Sequence, residues 1–256
     1  MSSTPSKSFT VDQLNVKIYS TQADMAVDAA RLAHGLLKAA IDKNGSAAAI
    51  LATGNSQLQF LEQLIKHDLN WSKITLFHMD EYLGLSKDHP ASFRRYMRER
   101  VEQRVKPKVF HYVEGDALEP IAECERYGSL LKAQPIDLCC LGIGENGHIA
   151  FNDPPVANFN DPHFVKIVKL DEGCRQQQVG EGHFPSIEKM PQYALTLSIP
   201  ALCSAKAMLA IVPEKRKAKA VRDSLNGPVG TACPGSFLRT QKQCTLLLES
   251  ESASLL

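Results

Sequence analysis

Apolar positions along the chain gather in short unbroken runs that alternate with stretches repeating at helical spacing. Val16 to Tyr19, Ala47 to Ala52, Ile74 to His78, Val109 to Val113 and Ile136 to Leu141 read as strands. The last of these, bounded by Pro135 and Gly142, has the near-continuous apolar character of a strand buried on both faces. Between them, Asp24 to Ile41 places Met25, Ala29, Leu32, Leu36 and Ala40 at helical spacing. Further helices are predicted from Gln57 to His67, from about Pro90 to Arg104, around Pro120 to Leu131 and from Glu214 to Leu225. Later strands are predicted at Val165 to Leu170, Tyr193 to Ile199, Ala207 to Val212 and Thr245 to Glu249. Strands that alternate with helices predict an α/β fold, a mostly parallel sheet with helices on both faces. The chain shows no internal repeat and no low-complexity linker, so residues 1–256 are expected to form a single domain.

The chemistry concentrates where strands end. After Leu141 the chain reads Gly142-Ile143-Gly144-Glu145-Asn146-Gly147-His148-Ile149-Ala150-Phe151-Asn152-Asp153-Pro154, glycines followed by a histidine and a carboxylate. In open parallel sheets the carboxyl edge is where ligands bind, although the same residues would also make a turn with a surface histidine. Thr53-Gly54-Asn55-Ser56 lies between a strand and a helix, where hydroxyls and free N–H groups either cradle a phosphate or merely cap the helix. It is not a Walker loop, since no Gly-Lys-Ser/Thr follows. Asp80 and Glu81 follow the strand ending at His78, and adjacent carboxylates raise one another's pKa toward a useful base strength. The other readings there are a solvated loop or a metal held by His78 and Asp80, the latter without a clear third ligand. Pro213-Glu214-Lys215-Arg216-Lys217-Ala218-Lys219 opens a helix with cations that oppose its dipole, which a local anion would relieve. Most of these four cations are expected to face solvent, as are Arg94, Arg95, Arg98, Arg100 and Arg104, among which Glu99 and Glu102 are interleaved.

Composition narrows the function. At 256 residues and 44% hydrophobic content the chain can bury a full core. With 29 Lys and Arg against 28 Asp and Glu, no overall field draws nucleic acid or an anionic membrane, so an anionic ligand must be held locally. Met1 to Thr10 is polar without an apolar core, and no run of about 18 apolar residues occurs, which predicts a cytoplasmic protein. The seven cysteines have no CxxC spacing and are expected to be reduced and mostly structural.

Thr53-Gly54-Asn55-Ser56, Met79-Asp80-Glu81-Tyr82-Leu83-Gly84-Leu85 and the run Gly142 to Pro154 stand in the order and spacing of the glucosamine-6-phosphate deaminases, which this chain resembles from near Asp24 to near Glu249. The related 6-phosphogluconolactonases share a Gly-x-x-Gly-His element but usually carry Asp-Glu-Arg where this chain has Asp80-Glu81-Tyr82, and lack the Phe-Asn-acid-Pro ending. The resemblance implies a modified doubly wound, Rossmann-like sheet and isomerisation coupled to hydrolytic deamination of glucosamine 6-phosphate. It implies no cofactor and no metal. By resemblance, His148 opens the sugar ring, supported by Asp153 where glutamate is more usual, and Asn146 orients by hydrogen bonding. Asp80 is the base that moves a proton from C2 to C1, and Glu81 holds or polarises it. Thr53, Gly54, Asn55 and Ser56 cradle the phosphate and Lys217 closes the cradle, with Arg175 as the candidate for a second cation. The expected partner is a small sugar phosphate, with no nucleic acid or membrane. A homo-oligomer is compatible with the resemblance, and little allosteric activation is expected because the basic cluster used for it in some relatives is not clearly reproduced. A lactonase, another amino sugar phosphate isomerase, or a sensor that binds without turnover are the competing readings.

Overall fold

The alternation of apolar runs builds a sheet whose two sides are both covered. The computed structural model describes residues 4–256, so the first three positions of the polar Met1 to Thr10 stretch lie outside the described residues. A hairpin of β1 (Lys7–Val11) and β2 (Leu14–Tyr19) leads into the long helix α1 (Gln22–Asn44), which the Thr21 hydroxyl caps by accepting from the Asp24 N–H at 3.1 Å. Then follow β3 (Ala47–Leu51), α2 (Leu58–Leu64), β4 (Ile74–His78) and β5 (Asp80–Tyr82). The arginine-rich helix is α3 (Phe93–Met97), a π-turn over Arg98–Glu102 and α4 (Gln103–Val105). Next come β6 (Val109–His111), α5 (Pro120–Lys132), β7 (Leu138–Leu141), β8 (Val165–Lys169) and α6 (Glu172–Gly180). The chain ends with β9 (Tyr193–Leu197), α7 (Ile199–Cys203), β10 (Met208–Val212), α8 (Ala218–Asn226) and β11 (Cys244–Glu249).

Eight strands form one sheet in the order β1-β2-β11-β10-β7-β3-β4-β6, parallel except for the edge strand β1. Alternate residues of each central strand feed different cores. Ala47, Ala49 and Leu51 of β3 pack with Met25, Ala29 and Leu37 of α1 and Phe60 and Leu64 of α2. Ala48 and Ile50 face the other side, with Tyr127 and Leu131 of α5 and Val221 and Leu225 of α8. Because both residue parities are buried, the strands read as unbroken apolar runs rather than as alternating ones.

Two expectations about strands are corrected. The segments read as Val165 to Leu170 and Tyr193 to Ile199 do not join the main sheet; as β8 and β9 they form a separate antiparallel sheet with β5 in the order β5-β9-β8. Asp80–Tyr82, read as a loop, is a strand because it pairs with β9, Asp80 opposite Thr196. The arginine helix is also less solvated than expected. Arg94 is buried and bonds the Asp116 carboxylate at 2.7 Å and the Leu85 carbonyl at 2.7 Å, whereas Arg95, Arg98 and Arg104 pair with carboxylates nearer solvent. All seven cysteines are free thiols. Among the described residues no helix is long and apolar enough to cross a membrane.

Candidate active site

From β3 the chain moves outward to β4 and β6, and from β7 it moves the other way to β10 and β11, so the strand order reverses between β3 and β7. A doubly wound sheet opens a crevice at such a reversal. The segments that follow β3, β4, β7 and β10 converge there on one cleft, lined by Thr53, Gly54, Asn55, Ser56, Asp80, Gly144, His148 and Lys217. Four stretches far apart in sequence thus meet at one edge.

Behind β3, Gly54 adopts φ +102° and ψ 166°, a conformation that a side chain would strain, and the turn Asn55–Gln57 then runs into α2. Gln57 fastens this turn across the sheet by donating to the Ser56 hydroxyl and to the Ile211 carbonyl of β10, each at 3.2 Å. The loop is therefore held beside the strand that delivers Lys217. The Lys217 side chain is nearly buried, at 4% exposure, and makes no ion pair or hydrogen bond among the described residues. Burial first, and then the neighbouring Arg216 charge, hold its ammonium below the usual lysine range.

Asp80 starts β5 and is 5% exposed. No side-chain hydrogen bond stabilises its carboxylate among the described residues. Burial, helped by the charge of Glu81, raises its pKa well above that of a free aspartate. Glu81 points the other way: its carboxylate accepts from the Ser92 hydroxyl at 2.7 Å and from the N–H groups of Tyr82, Phe93 and Arg94 at 2.9, 3.2 and 2.9 Å. It holds the start of α3, whose Phe93 lines the cleft, and touches Asp80 only through charge. Replacing Glu81 by Ala strands a buried hydroxyl, buried N–H groups and the Arg94 guanidinium 3.5 Å away. We expect that substitution to cost about 3–5 kcal/mol of folding free energy, read from urea unfolding. A loss below about 1 kcal/mol would mean that the corner does not depend on this carboxylate.

The third segment is positioned by its own asparagines. Asn152, fully buried, donates through Nδ2 to the carbonyls of Ile149 and Leu197 at 2.9 and 2.8 Å, and the Phe151 N–H bonds the Thr196 hydroxyl at 3.1 Å. These bonds pin the loop to β9 and bring Asp153 beneath His148. Asp153 Oδ1 lies 3.0 Å from His148 Nδ1 and accepts from Asn146 Nδ2 at 2.9 Å, while Asn146 Oδ1 lies 2.7 Å from the same Nδ1. Both neighbours of Nδ1 are acceptors, which assigns the proton of a neutral ring to Nδ1 and leaves Nε2 with a free lone pair. Burial alone would raise the Asp153 pKa, but its bonds from His148 and Asn146 hold it below the usual range. Gly144 lies directly against the imidazole, since a Cβ there would sit 2.1 Å from His148 Cε1.

Two expected residues stand outside this arrangement. His78 turns into the core, accepting from the Val113 N–H at 2.9 Å, and burial lowers its pKa to about 3, so it is a neutral structural group and does not ligate beside Asp80. Arg175 does not line the cleft; its guanidinium donates to the carbonyls of Ile187 and Met190 and borders a separate cavity with Lys169 and Glu172. Its Nη2 is spent on those main-chain oxygens, and the side chain lies outside the cleft, so it is not placed to grip a ligand there. Cys174 lies with His148 and Asp153 in a group whose ligand atoms are within 4.8 Å of one another, donors of a kind that hold a metal ion. Its thiol is pushed up by burial and then by the surrounding aspartates, so it rests protonated in an apolar cluster with Tyr82 and Phe184.

Sequence reading missed Gln177, Gln178 and Glu181, which approach the cleft from α6 and the residue after it, and Arg216, taken to be one of the solvent-facing cations. The available signal was the spacing of Gln177 and Glu181, one helical turn apart. Gln177 accepts from the Glu145 N–H at 3.1 Å and donates to Glu181 at 2.9 Å.

A family model described as glucosamine-6-phosphate isomerases/6-phosphogluconolactonase matches residues 20–247. The glucosamine-6-phosphate deaminase of Exiguobacterium sibiricum is 36% identical over 91% of this chain and 91% of its own, and that of Streptococcus pneumoniae is 33% identical over 90% and 96%. A solved monomeric glucosamine-6-phosphate deaminase superposes with a TM-score of 0.87 at 34% identity, covering 94% of this chain and 99% of that one. A 6-phosphogluconolactonase from Shewanella baltica shares the fold, with a TM-score of 0.76 at 19% identity over 94% and 98%. The chain belongs to the glucosamine-6-phosphate isomerase/6-phosphogluconolactonase family.

Proposed function

We propose that the chain converts glucosamine 6-phosphate and water to fructose 6-phosphate and ammonia, acting as one unit over residues 1–256. The observation that carries this reading is the pairing, in one cleft, of an unbonded buried carboxyl at Asp80 with a free imidazole nitrogen at His148. The same cleft holds a nearly buried, unpaired lysine and a loop of hydroxyls and amides.

The chemistry follows from those groups. His148 Nε2 takes the proton from the sugar O1 hydroxyl and returns it to the ring oxygen, which opens the pyranose to the aldehyde. Asp153 and Asn146 keep Nδ1 protonated and stabilise the imidazolium that forms in between. Asp80 then removes the C2 proton while the substrate's ammonium group gives up a proton to O1, leaving a neutral enolamine, and Asp80 delivers its proton to C1 to form the C2 iminium. Water adds to the resulting C2 iminium and ammonia leaves, producing the ketone. A base whose pKa is raised by burial is matched to this work near neutral pH. Lys217 with Thr53 to Ser56 holds the phosphate, and a phosphorylated sugar is confined to the compartment that makes it, in keeping with a cytoplasmic enzyme.

A sensor needs a phosphate cradle but no proton relay, and hydrolysis of a lactone needs no base at a carbon acid. The deaminases above are 33–36% identical to this chain, whereas the lactonase is at 19%. We expect the protein to release ammonia and fructose 6-phosphate in equal amounts from glucosamine 6-phosphate, faster than it acts on galactosamine 6-phosphate or 6-phosphogluconolactone. Turnover of the lactone alone, or binding without ammonia release, would sink this reading.

A further inference from the structure

We propose that Arg216, rather than Arg175, is the second cation that grips the substrate's phosphate beside Lys217, an inference that rests on the sugar phosphate activity proposed above. Among the cleft-lining residues only Arg216 and Lys217 are lysine or arginine. They are adjacent in the turn Lys215–Lys217 that follows β10. That turn is set firmly: Glu214 is held at φ +82°, unusual for a residue with a side chain, by its N–H bond to the buried Glu249 carboxylate at 2.9 Å.

The guanidinium is oriented but not used up. Nε donates to Glu214 at 2.5 Å, and Nη1 donates to Glu145 at 3.0 Å and Glu181 at 2.7 Å. Nη2 has no partner among the described residues. Three carboxylates therefore aim a planar fork and leave one of its nitrogens open, the arrangement a tetrahedral oxyanion can complete. The charge balance points the same way. The two neighbouring cations repel, and while Arg216 is compensated, Lys217 has no ion pair. A phosphate dianion that bridges them offsets the repulsion and gives Lys217 the direct ion pair it lacks.

The test compares Arg216→Gln, Arg216→Lys and Arg175→Gln by steady-state kinetics on glucosamine 6-phosphate and by calorimetric binding of inorganic phosphate. Arg216→Gln is expected to raise KM and the phosphate Kd together by roughly ten- to a hundredfold, with kcat within about threefold. Arg216→Lys should recover only part of the loss, and Arg175→Gln should leave both constants nearly unchanged. Because removing Arg216 also releases three carboxylates, a Glu145→Gln/Glu181→Gln variant separates the roles: it frees the arginine and should bind phosphate as tightly as the parent or tighter. The proposal is overturned if phosphate binding survives in Arg216→Gln, if the glutamine pair loses it, if Arg175→Gln carries the loss, or if the unmodified protein binds no phosphate. Absence of turnover by a protein that still binds phosphate through Arg216 would count against the deaminase reading alone.

Discussion

Asp80→Asn is expected to lower kcat for glucosamine 6-phosphate by about a thousandfold or more, within the range that a positioned general base contributes, while the protein becomes more resistant to heat. The first effect follows from losing the only group proposed to carry the proton from C2 to C1. The second follows from linkage. Burial raises the Asp80 pKa in the folded state, so between the unfolded value and the folded one the native protein binds more protons than the unfolded chain. Stability therefore falls as pH rises through that window, and above the unfolded value the buried carboxyl works against folding. Asparagine keeps the shape and removes the charge, so the thermal midpoint should rise by ~2–4 °C for each kcal/mol relieved. The gain should vanish in acid below the unfolded value, where Asp80 is protonated in both states. Near-normal turnover would remove Asp80 from the mechanism. Lost turnover with a lowered midpoint at pH 7 would show that the carboxylate supports the fold and is not a strained functional group.

Gly144→Ala should be nearly as damaging to turnover, by a route that involves no chemistry at residue 144. The added methyl would lie 2.1–2.3 Å from three atoms of the His148 ring. The Gly144 backbone is not in the left-handed region, so alanine is tolerated there by the main chain and the imidazole has to give way. Moving the ring breaks the contacts of Nδ1 with Asn146 at 2.7 Å and Asp153 at 3.0 Å, and with them the tautomer that presents Nε2. A loss of about a hundredfold or more in kcat is expected, comparable to that of His148→Gln. Since both substitutions remove the same function, the double variant should be no worse than the poorer single one. Full additivity in that cycle would place the effect of Gly144 elsewhere, as would wild-type activity in the alanine variant.

The central strands were legible because their signal is local. Ala47 to Ala52, Ile74 to His78 and Ile136 to Leu141 are covered on both faces, so each run is apolar at every register and needs no partner to be recognised. The functional segments were legible for a related reason: at the end of a buried strand, glycines and ionisable groups have no packing role to account for them, as at Gly144 and His148 or at Asp80. By the same token, β1 and β5 escaped notice because each is short and half polar, and becomes a strand only through its neighbour.

What a side chain does inside the site depends on partners the sequence does not order. Glu81 and Asp80 are adjacent and chemically alike, yet one is spent on the start of α3 and the other stays unbonded in the cleft, because successive residues of a strand face opposite ways. Arg175 was the expected second cation, and Arg216 belonged to a run of cations expected mostly to face solvent. Only the packing of α6 against the segment Ile187 to Met190 draws the first away, and only the turn after β10 sets the second beside Lys217. The sequence by itself determined the layered α/β architecture and the segments that would carry chemistry, since burial on both faces and the breaks after it are written in consecutive residues. The tertiary structure decided which of the ionisable groups stay unpaired, because that depends on contacts between residues far apart along the chain.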